Sequence, residues 1–307
     1  MLVIRDNFCE NFNESTIVAL GSFDGVHKGH IELIKKTKEL ASKNNIKSMV
    51  FTFENHPLST INYEIMPKLL QSTEEKIKTL DSLGIDILNL CQFNNDFMEL
   101  SPEEFIRKLV THYKVKGIVV GFNYRFGYKN LGDVELLIEF SKKLDFELHI
   151  VSPITMDGEI ISSTKIRALI AQGEVKKANE LLTRPYYVHG KVIKGKQLGR
   201  TLGFPTINLD YDKKFALPLG GVYYTVVEYK DKFYKGITNI GYNPTVNGNK
   251  LSVETHIIDF EEVIYDKEVK VFFIERIRNE KCFNSLDELQ TQLNKDKLYA
   301  KNKEIRM

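Results

Sequence analysis

Residues 21–30 read Gly21-Ser22-Phe23-Asp24-Gly25-Val26-His27-Lys28-Gly29-His30, a spacing that suits a polyphosphate. Gly21, Gly25 and Gly29 carry no Cβ, so the backbone can approach an anion closely. His27 and His30 stand three residues apart; if a helix begins here they share a face, and both imidazoles can donate to phosphate oxygens. The same ten residues are equally compatible with a glycine loop bearing two ordinary surface histidines. A second stretch, Ile161-Ser162-Ser163-Thr164-Lys165-Ile166-Arg167, brings two hydroxyls, backbone donors and a guanidinium to another helix start, where free N–H groups favour anions.

A third stretch runs from Gly190 through Lys196, Gly199 and Gly203 to Phe204-Pro205-Thr206-Ile207-Asn208. A loop spaced by glycine and lysine can wrap a nucleotide, and the Thr206 hydroxyl and Asn208 carbonyl are hard oxygen donors of the kind magnesium takes. A solvated loop would look much the same without the Pro-Thr-x-Asn that follows. Alternation along a strand sets Thr206 and Asn208 on one face and Ile207 on the other, expected to be the core side. Further on, Glu254 lies within Val253-Glu254-Thr255-His256-Ile257-Ile258-Asp259; an isolated glutamate in a strand ordinarily faces solvent.

The elements that must position these residues fall into two kinds. The apolar runs Ile17–Leu20, Met49–Phe53, Ile87-Leu88, Ile118–Val120 and Leu148–Val151 are short enough to be buried parallel strands. Between them, Ser72 with Glu75 and Ser101-Pro102 with Glu104 read as helix starts. The result is an open α/β sheet to about residue 152, with helices near 164–172 and 174–182. In such a sheet the loop after the first long strand lies at the carboxyl edge, where ligands bind. After Pro185, segments rich in β-branched and aromatic residues (Tyr223–Glu228, Phe233–Ile237, Ser252–Ile258, Val269–Ile277) follow one another without helices, which indicates a small antiparallel barrel or sandwich. A last helix starts near Ser285, with Leu289 and Leu293 facing the barrel.

Composition sets the outer limits. At 307 residues, 42% hydrophobic and 27% charged, the chain is long enough for two domains that each bury a core. A formal net charge of only +2 argues against a nucleic-acid partner, so any phosphate must be met by local groups. Cys9, Cys91 and Cys282 show neither disulfide nor zinc spacing. Charge arrives too early for a signal peptide, and no apolar run reaches the roughly eighteen residues of a membrane span. These features place the protein in the cytoplasm, off the membrane.

Taken in chain order, H-x-G-H and I-S-S-T-x-x-R resemble the paired signatures of the nucleotidyltransferase superfamily. Phe51-Thr52-Phe53-Glu54-Asn55-His56-Pro57 and Val120-Gly121-Phe122-Asn123-Tyr124-Arg125-Phe126-Gly127, followed by Gly132-Asp133, narrow the match to the FMN adenylyltransferase module of bacterial FAD synthetases. Phe122 is a departure, standing where an acidic residue is usual. The 190–208 stretch and Val253–Asp259 resemble riboflavin kinase, with Ile207 in place of the usual alanine. The resemblance implies a Rossmann-like nucleotidyltransferase domain over 1–184 and a riboflavin kinase barrel with a C-terminal helix over 185–307. It implies a bifunctional enzyme: riboflavin and ATP to FMN, then FMN and ATP to FAD and pyrophosphate.

The implied roles follow the motifs. Gly21, Phe23, Asp24, Gly25 and Gly29 form the first loop, His27 and His30 serve the phosphates, and Asn123 contacts the nucleotide. Ser163 and Thr164 orient the triphosphate, and Arg167 meets the leaving group. Gly190, Lys196, Gly203 and Arg276 line the second site, Thr206 and Asn208 hold Mg2+, and Glu254 is the base. Partners are the small molecules riboflavin, FMN and ATP, and the protein is expected as a monomer or weak homo-oligomer. Two rival readings share the fold: a single-activity nucleotidyltransferase, which would need no flavin barrel, and a regulatory flavin-binding protein, in which Glu254, His30 or Arg167 should be lost.

Overall fold

A computed structural model describes the chain except for residues 196–198, 200, 201, 246, 247 and 306 and the side chains of 242–250. It divides into two compact units, Met1–Ser163 and Thr164–Met307.

The first unit is built on a six-stranded sheet of order β1-β4-β3-β2-β5-β6. Its strands are β1 (Leu2–Ile4), β2 (Thr16–Leu20), β3 (Lys47–Phe53), β4 (Ile87–Cys91), β5 (Val115–Gly121) and β6 (Glu147–Val151). Every neighbouring pair is parallel. The strands alternate between two apolar layers: Val18, Leu20, Phe51, Ile118 and Val120 face one, Ile17, Ala19, Val50, Leu88 and Val119 the other. Burial on both faces explains the continuous apolar runs. The crossovers are α1 (Lys28–Lys43), then α2 (Leu58–Ile61) and α3 (Thr73–Ser82), then α4 (Asn95–Met98) and α5 (Pro102–His112), then α6 (Val134–Leu144). The two serine starts are as expected: Ser72 accepts from Glu75 N at 3.2 Å, and Ser101 forms a full capping box with Glu104 behind Pro102.

Because β3 and β4 build outward on one side of β2 while β5 returns to its other side, the chain order reverses between β2 and β5. The crevice beyond their carboxyl ends is bounded by Gly21 and Gly121, so topology delivers the glycine–histidine loop to the place where open α/β sheets take ligands. A short hairpin, β7 (Thr155–Met156) with β8 (Glu159–Ile160), leads into the second signature.

The second unit begins with α7 (Ser163–Ala171, whose first residue ends the first unit) and α8 (Val175–Leu181). Asn179 ties α8 to the barrel, donating to the Phe273 carbonyl and accepting from Tyr186 N, both at 2.8 Å. The barrel is closed, in the order β10-β13-β12-β11-β14-β9. It comprises β9 (Tyr187–Ile193), β10 (Ile207–Tyr211), β11 (Gly221–Tyr229), β12 (Lys232–Thr245), β13 (Gly248–Ile257) and β14 (Glu268–Arg278). Four strand segments were expected beyond residue 220, with a strand also at Asn208; six strands form the barrel, and β9 enters what the sequence shows as a glycine-spaced loop. Gly190 is where they press together, since a Cβ there would lie 2.1 Å from the Asp210 carbonyl oxygen. The last helix, α9 (Leu286–Lys301), is capped by Ser285. Leu289 and Leu293 are half-buried; the buried residues of its inner seam are Asp296 and Ala300. Asp296 is 2% exposed and takes three hydrogen bonds from the Arg278 guanidinium, at 3.3, 3.0 and 2.8 Å.

Candidate active sites

The β2–α1 loop is held open by backbone choices no side chain could replace. Gly25 has φ +60°, and a Cβ there would fall 2.6 Å from Leu70 Cβ. Phe23 also takes a positive φ, with its ring fully buried and centred 4.9 Å from that of His30. Helix α1 begins at Lys28, so His27 is its N-cap rather than its first turn. His27 Nδ1 accepts from His30 N at 3.3 Å, and His30 Nδ1 accepts from His27 N at 3.4 Å. This is a capping box made of two histidines, whose rings stack at 3.7 Å.

Chemistry follows from that cap. A ring nitrogen that accepts a backbone N–H carries no proton, so a neutral imidazole in either position holds its proton on Nε2. Burial, seconded by His27 and Lys76, pushes the His30 pKa well below the usual histidine value. His30 is therefore a neutral Nε2–H donor at physiological pH, suited to a phosphate oxygen. Gly29 accommodates the His27 ring, with 3.1 Å between His27 Cε1 and a Cβ placed there.

Neighbouring residues fix the loop. Asp24 is buried and its carboxylate accepts from Leu70 N at 3.1 Å, while its carbonyl accepts from Ser163 Oγ at 2.9 Å. That bond joins the start of the second signature to the first. A Cβ at Gly21 would lie 3.1 Å from the Phe23 ring. Asn123 and Phe122 are exposed on the turn after β5, and Arg125 pairs with Asp133 at 3.1 Å. Thr164 is exposed and Arg167 half-buried, one turn into α7.

In the barrel, cross-strand register makes the second constellation. Asn208 on β10 stands directly opposite Glu254 on β13, and Glu254 stands directly opposite Asn239 on β12. Opposed residues keep their Cβ atoms about 5 Å apart, so the three side chains form one polar row. All are half-buried, and Ser252 Oγ lies 3.5 Å from Glu254 Oε1. On the opposite face of β13, Thr255 continues a buried hydroxyl ladder with Thr238 and Thr225, each step 2.8 Å. Asn208, with Thr206 two residues before it, supplies oxygen donors of the kind that fits a hard cation such as Mg2+. Gly195 packs under the Asn208 amide, where a Cβ would be 2.1 Å from Nδ2.

Beside this row a cavity of about 400 Å³ is lined by Val192, Thr206, Ile207, Ile257, Phe260 and Tyr265, among others. Ile207 thus faces the cavity and does not merely fill the core side, because β10 begins at its rim. Gly203 has φ +80° with open space around it, and Gly190 is a strand-packing residue as described. Lys196 lies outside the described residues. Arg276 donates to the Gly220 carbonyl at 2.6 Å and lies over the Tyr223 ring.

Two family models match the chain: FAD synthetase over residues 9–165 and riboflavin kinase over 182–303. The bifunctional riboflavin kinase/FMN adenylyltransferase of Listeria monocytogenes is 37% identical over 284 residues, 91% of this chain and 90% of that one. The chain belongs to this family. The corresponding proteins of Buchnera aphidicola and Escherichia coli are 36% and 35% identical, each matched over more than nine-tenths of both chains. A Streptococcus pneumoniae crystal structure described as a macrolide-efflux protein superimposes with a TM-score of 0.89 at 32% identity, covering 99% of each chain. In this chain no helix among the described residues is long and apolar enough to cross a membrane. As a bifunctional riboflavin kinase/FMN adenylyltransferase, the protein acts on riboflavin, FMN and ATP.

Within this enzyme, four residues escaped the sequence reading. Lys76, Ser252, Asn239 and Gly195 touch residues of the two candidate sites. A lysine on an amphipathic helix reads as solvated, and Asn239 is brought to Glu254 only by strand register. Gly195 alone left a signal, as one of the glycines in the 190–208 run.

Proposed function

We propose that residues 1–184 carry adenylyl transfer around His27 and His30, and residues 185–307 the kinase reaction around Asn208 and Glu254. Ser163, the last residue of the first unit, donates through Oγ to the Asp24 carbonyl at 2.9 Å.

In the first reaction an ionised phosphate oxygen of FMN attacks the α-phosphorus of ATP; the new P–O bond forms as the α–β bridge breaks and pyrophosphate leaves. The nucleophile needs no base, so the protein positions the groups and stabilises charge. His27 and His30 donate to phosphate oxygens through Nε2–H, Ser163 and Thr164 orient the triphosphate, Arg167 meets the pyrophosphate, and Asn123 contacts the nucleotide.

In the second reaction the ribityl hydroxyl of riboflavin attacks the γ-phosphorus and ADP leaves. This alcohol must lose a proton, and Glu254 accepts it. Thr206 and Asn208 are the residues that would hold Mg2+, which when bound neutralises phosphate charge. The cavity beside Ile207, whose lining joins Val192, Ile257 and Phe260 to the carboxylates Glu261 and Glu262, has an apolar side that suits the adenine ring. The single observation that carries this reading is the direct cross-strand pairing of Asn208 with Glu254, which brings a cation ligand and a base to one face. We take the enzyme as cytoplasmic, a monomer or weak homo-oligomer, without a nucleic-acid partner.

The test is incubation of purified protein with riboflavin or FMN and MgATP, with products resolved chromatographically. Glu254→Gln should abolish FMN formation and leave FAD formation from supplied FMN intact, and His30→Ala should do the converse. Equal loss of both reactions in either variant would sink the two-site assignment.

A further inference from the structure

Three successive carbonyls of the β2–α1 loop are turned into the protein. Ser22 O accepts from Thr52 Oγ1 at 2.8 Å and from Lys76 Nζ at 3.0 Å. Phe23 O accepts from Gln71 Nε2 at 2.8 Å, and Asp24 O from Ser163 Oγ at 2.9 Å. A carbonyl facing a polyphosphate repels it, whereas a loop whose carbonyls are anchored behind can offer N–H groups. The anchor at Ser22 is unusual in chemistry. Lys76 rises from α3, is only 8% exposed, and also donates to Phe53 O at 3.1 Å, with Thr52 Oγ1 at 3.5 Å.

A neutral donor could satisfy those oxygens without the cost of burying an ammonium. Burial pushes this lysine down to about 8, so it is still mostly charged near pH 7. The positive charge is therefore retained beside a loop that meets a polyanion, and it also helps keep His30 neutral.

We infer that Lys76 is a positioning residue of adenylyl transfer: it ties the carbonyls ending β2 and β3 to α3 and places a buried positive charge behind the loop that receives the ATP phosphates. This rests on assigning that loop to ATP. Because the bound state gains both a fixed loop and a favourable field, loss of Lys76 should act on ATP binding more than on turnover.

The experiment measures KM and kcat for ATP in FAD formation from supplied FMN, with FMN formation from riboflavin as the internal control. Lys76→Met should raise KM by about tenfold to a hundredfold, the range expected on losing charge-assisted hydrogen bonds. The fall in kcat should be smaller and FMN formation unchanged. Lys76→Arg should recover most of the affinity, and Thr52→Val, which removes the other donor to Ser22 O but keeps the charge, should raise KM by less. A wild-type KM in Lys76→Met overturns the inference, as does a matched loss in both reactions. Should Lys76→Met fail to fold, Lys76→Gln takes its place, and a wild-type KM in that variant overturns the inference. His30→Ala separates the layers: if it spares FAD formation, the site assignment itself falls; if it abolishes FAD formation while Lys76→Met keeps its KM, only the role of Lys76 falls.

Discussion

Gly195→Ala is a sharp probe of the kinase site, because it adds one methyl group at a point where space is known. An alanine Cβ at this position would stand 2.1 Å from Asn208 Nδ2 and 2.6 Å from Asn208 Cγ, against the 3.4 Å at which ordinary contact begins. Gly195 is not among the residues with positive φ, so alanine meets no backbone strain and the collision must be relieved by movement. The yielding group is the amide at the end of the Asn208 side chain, which must retreat by about 1.3 Å, taken directly from those two separations. Metal ligation tolerates only about 0.2 Å, and a misplacement near 1 Å costs roughly a hundredfold in rate. The expected outcome is a fall of about a hundredfold in kcat/KM for FMN formation, or about 2.7 kcal/mol of transition-state stabilisation. The Mg2+ concentration needed for half-maximal rate should also rise. Folding stability should change by less than about 1 kcal/mol, since a side chain swings and no core is opened. FAD formation from supplied FMN, followed in the same preparation, should be unaffected. Wild-type FMN formation in Gly195→Ala would refute the placement of Asn208 as a ligand, and an equal loss in both reactions would show a global effect.

Two further outcomes follow from burial. Asp296→Ala should lower the stability of the barrel unit by about 3 kcal/mol, because it leaves the Arg278 guanidinium without its 2%-exposed carboxylate; a urea transition at the wild-type midpoint would contradict this. His30 has a folded-state pKa depressed by burial, so below about 6.5 the unfolded chain takes up a proton that the folded protein refuses. Its contribution is therefore complete at neutral pH and is lost as pH falls below the unfolded value, by at most about 1.4 kcal/mol per unit. Nitrogen-15 spectra of labelled histidine should show the Nε2–H tautomer persisting below pH 6.5, and titration at the ordinary value would refute it.

How much of this could be read from the sequence depends on the range of each interaction. Strands such as β2 and β3 were legible because burial on both faces leaves an uninterrupted apolar run, and Ser101-Pro102 with Glu104 was legible because a helix cap is local. The histidine loop could be located from its glycines, but not the reciprocal cap, which puts His27 before the helix. β9 was missed because Gly190 and Lys191 open a run of glycines and lysines that reads as loop, whereas the glycine at 190 is demanded by the neighbouring strand. Pairing of Asn208 with Glu254, 46 residues on, depends on barrel closure and register, which no local pattern encodes. Lys76 is the extreme case: its spacing on α3 is that of a helix surface, and only the approach of the β2 and β3 ends converts it into a buried donor.

The two-histidine cap has a consequence for which residues can stand at these positions. Serine or aspartate would begin α1 as well as histidine does, but each has its acceptor at the tip and nothing beyond it. An imidazole has hydrogen-bonding atoms on two edges, so the Nδ1 edge can be committed to the helix while the Nε2 edge is left for a phosphate, as the proposed role requires. On the proposed reading, holding the fold and holding the ligand fall to different atoms of one ring. Asparagine, which imitates the Nδ1 edge, and glutamine, which imitates the Nε2 edge, divide the two duties between two different mutants.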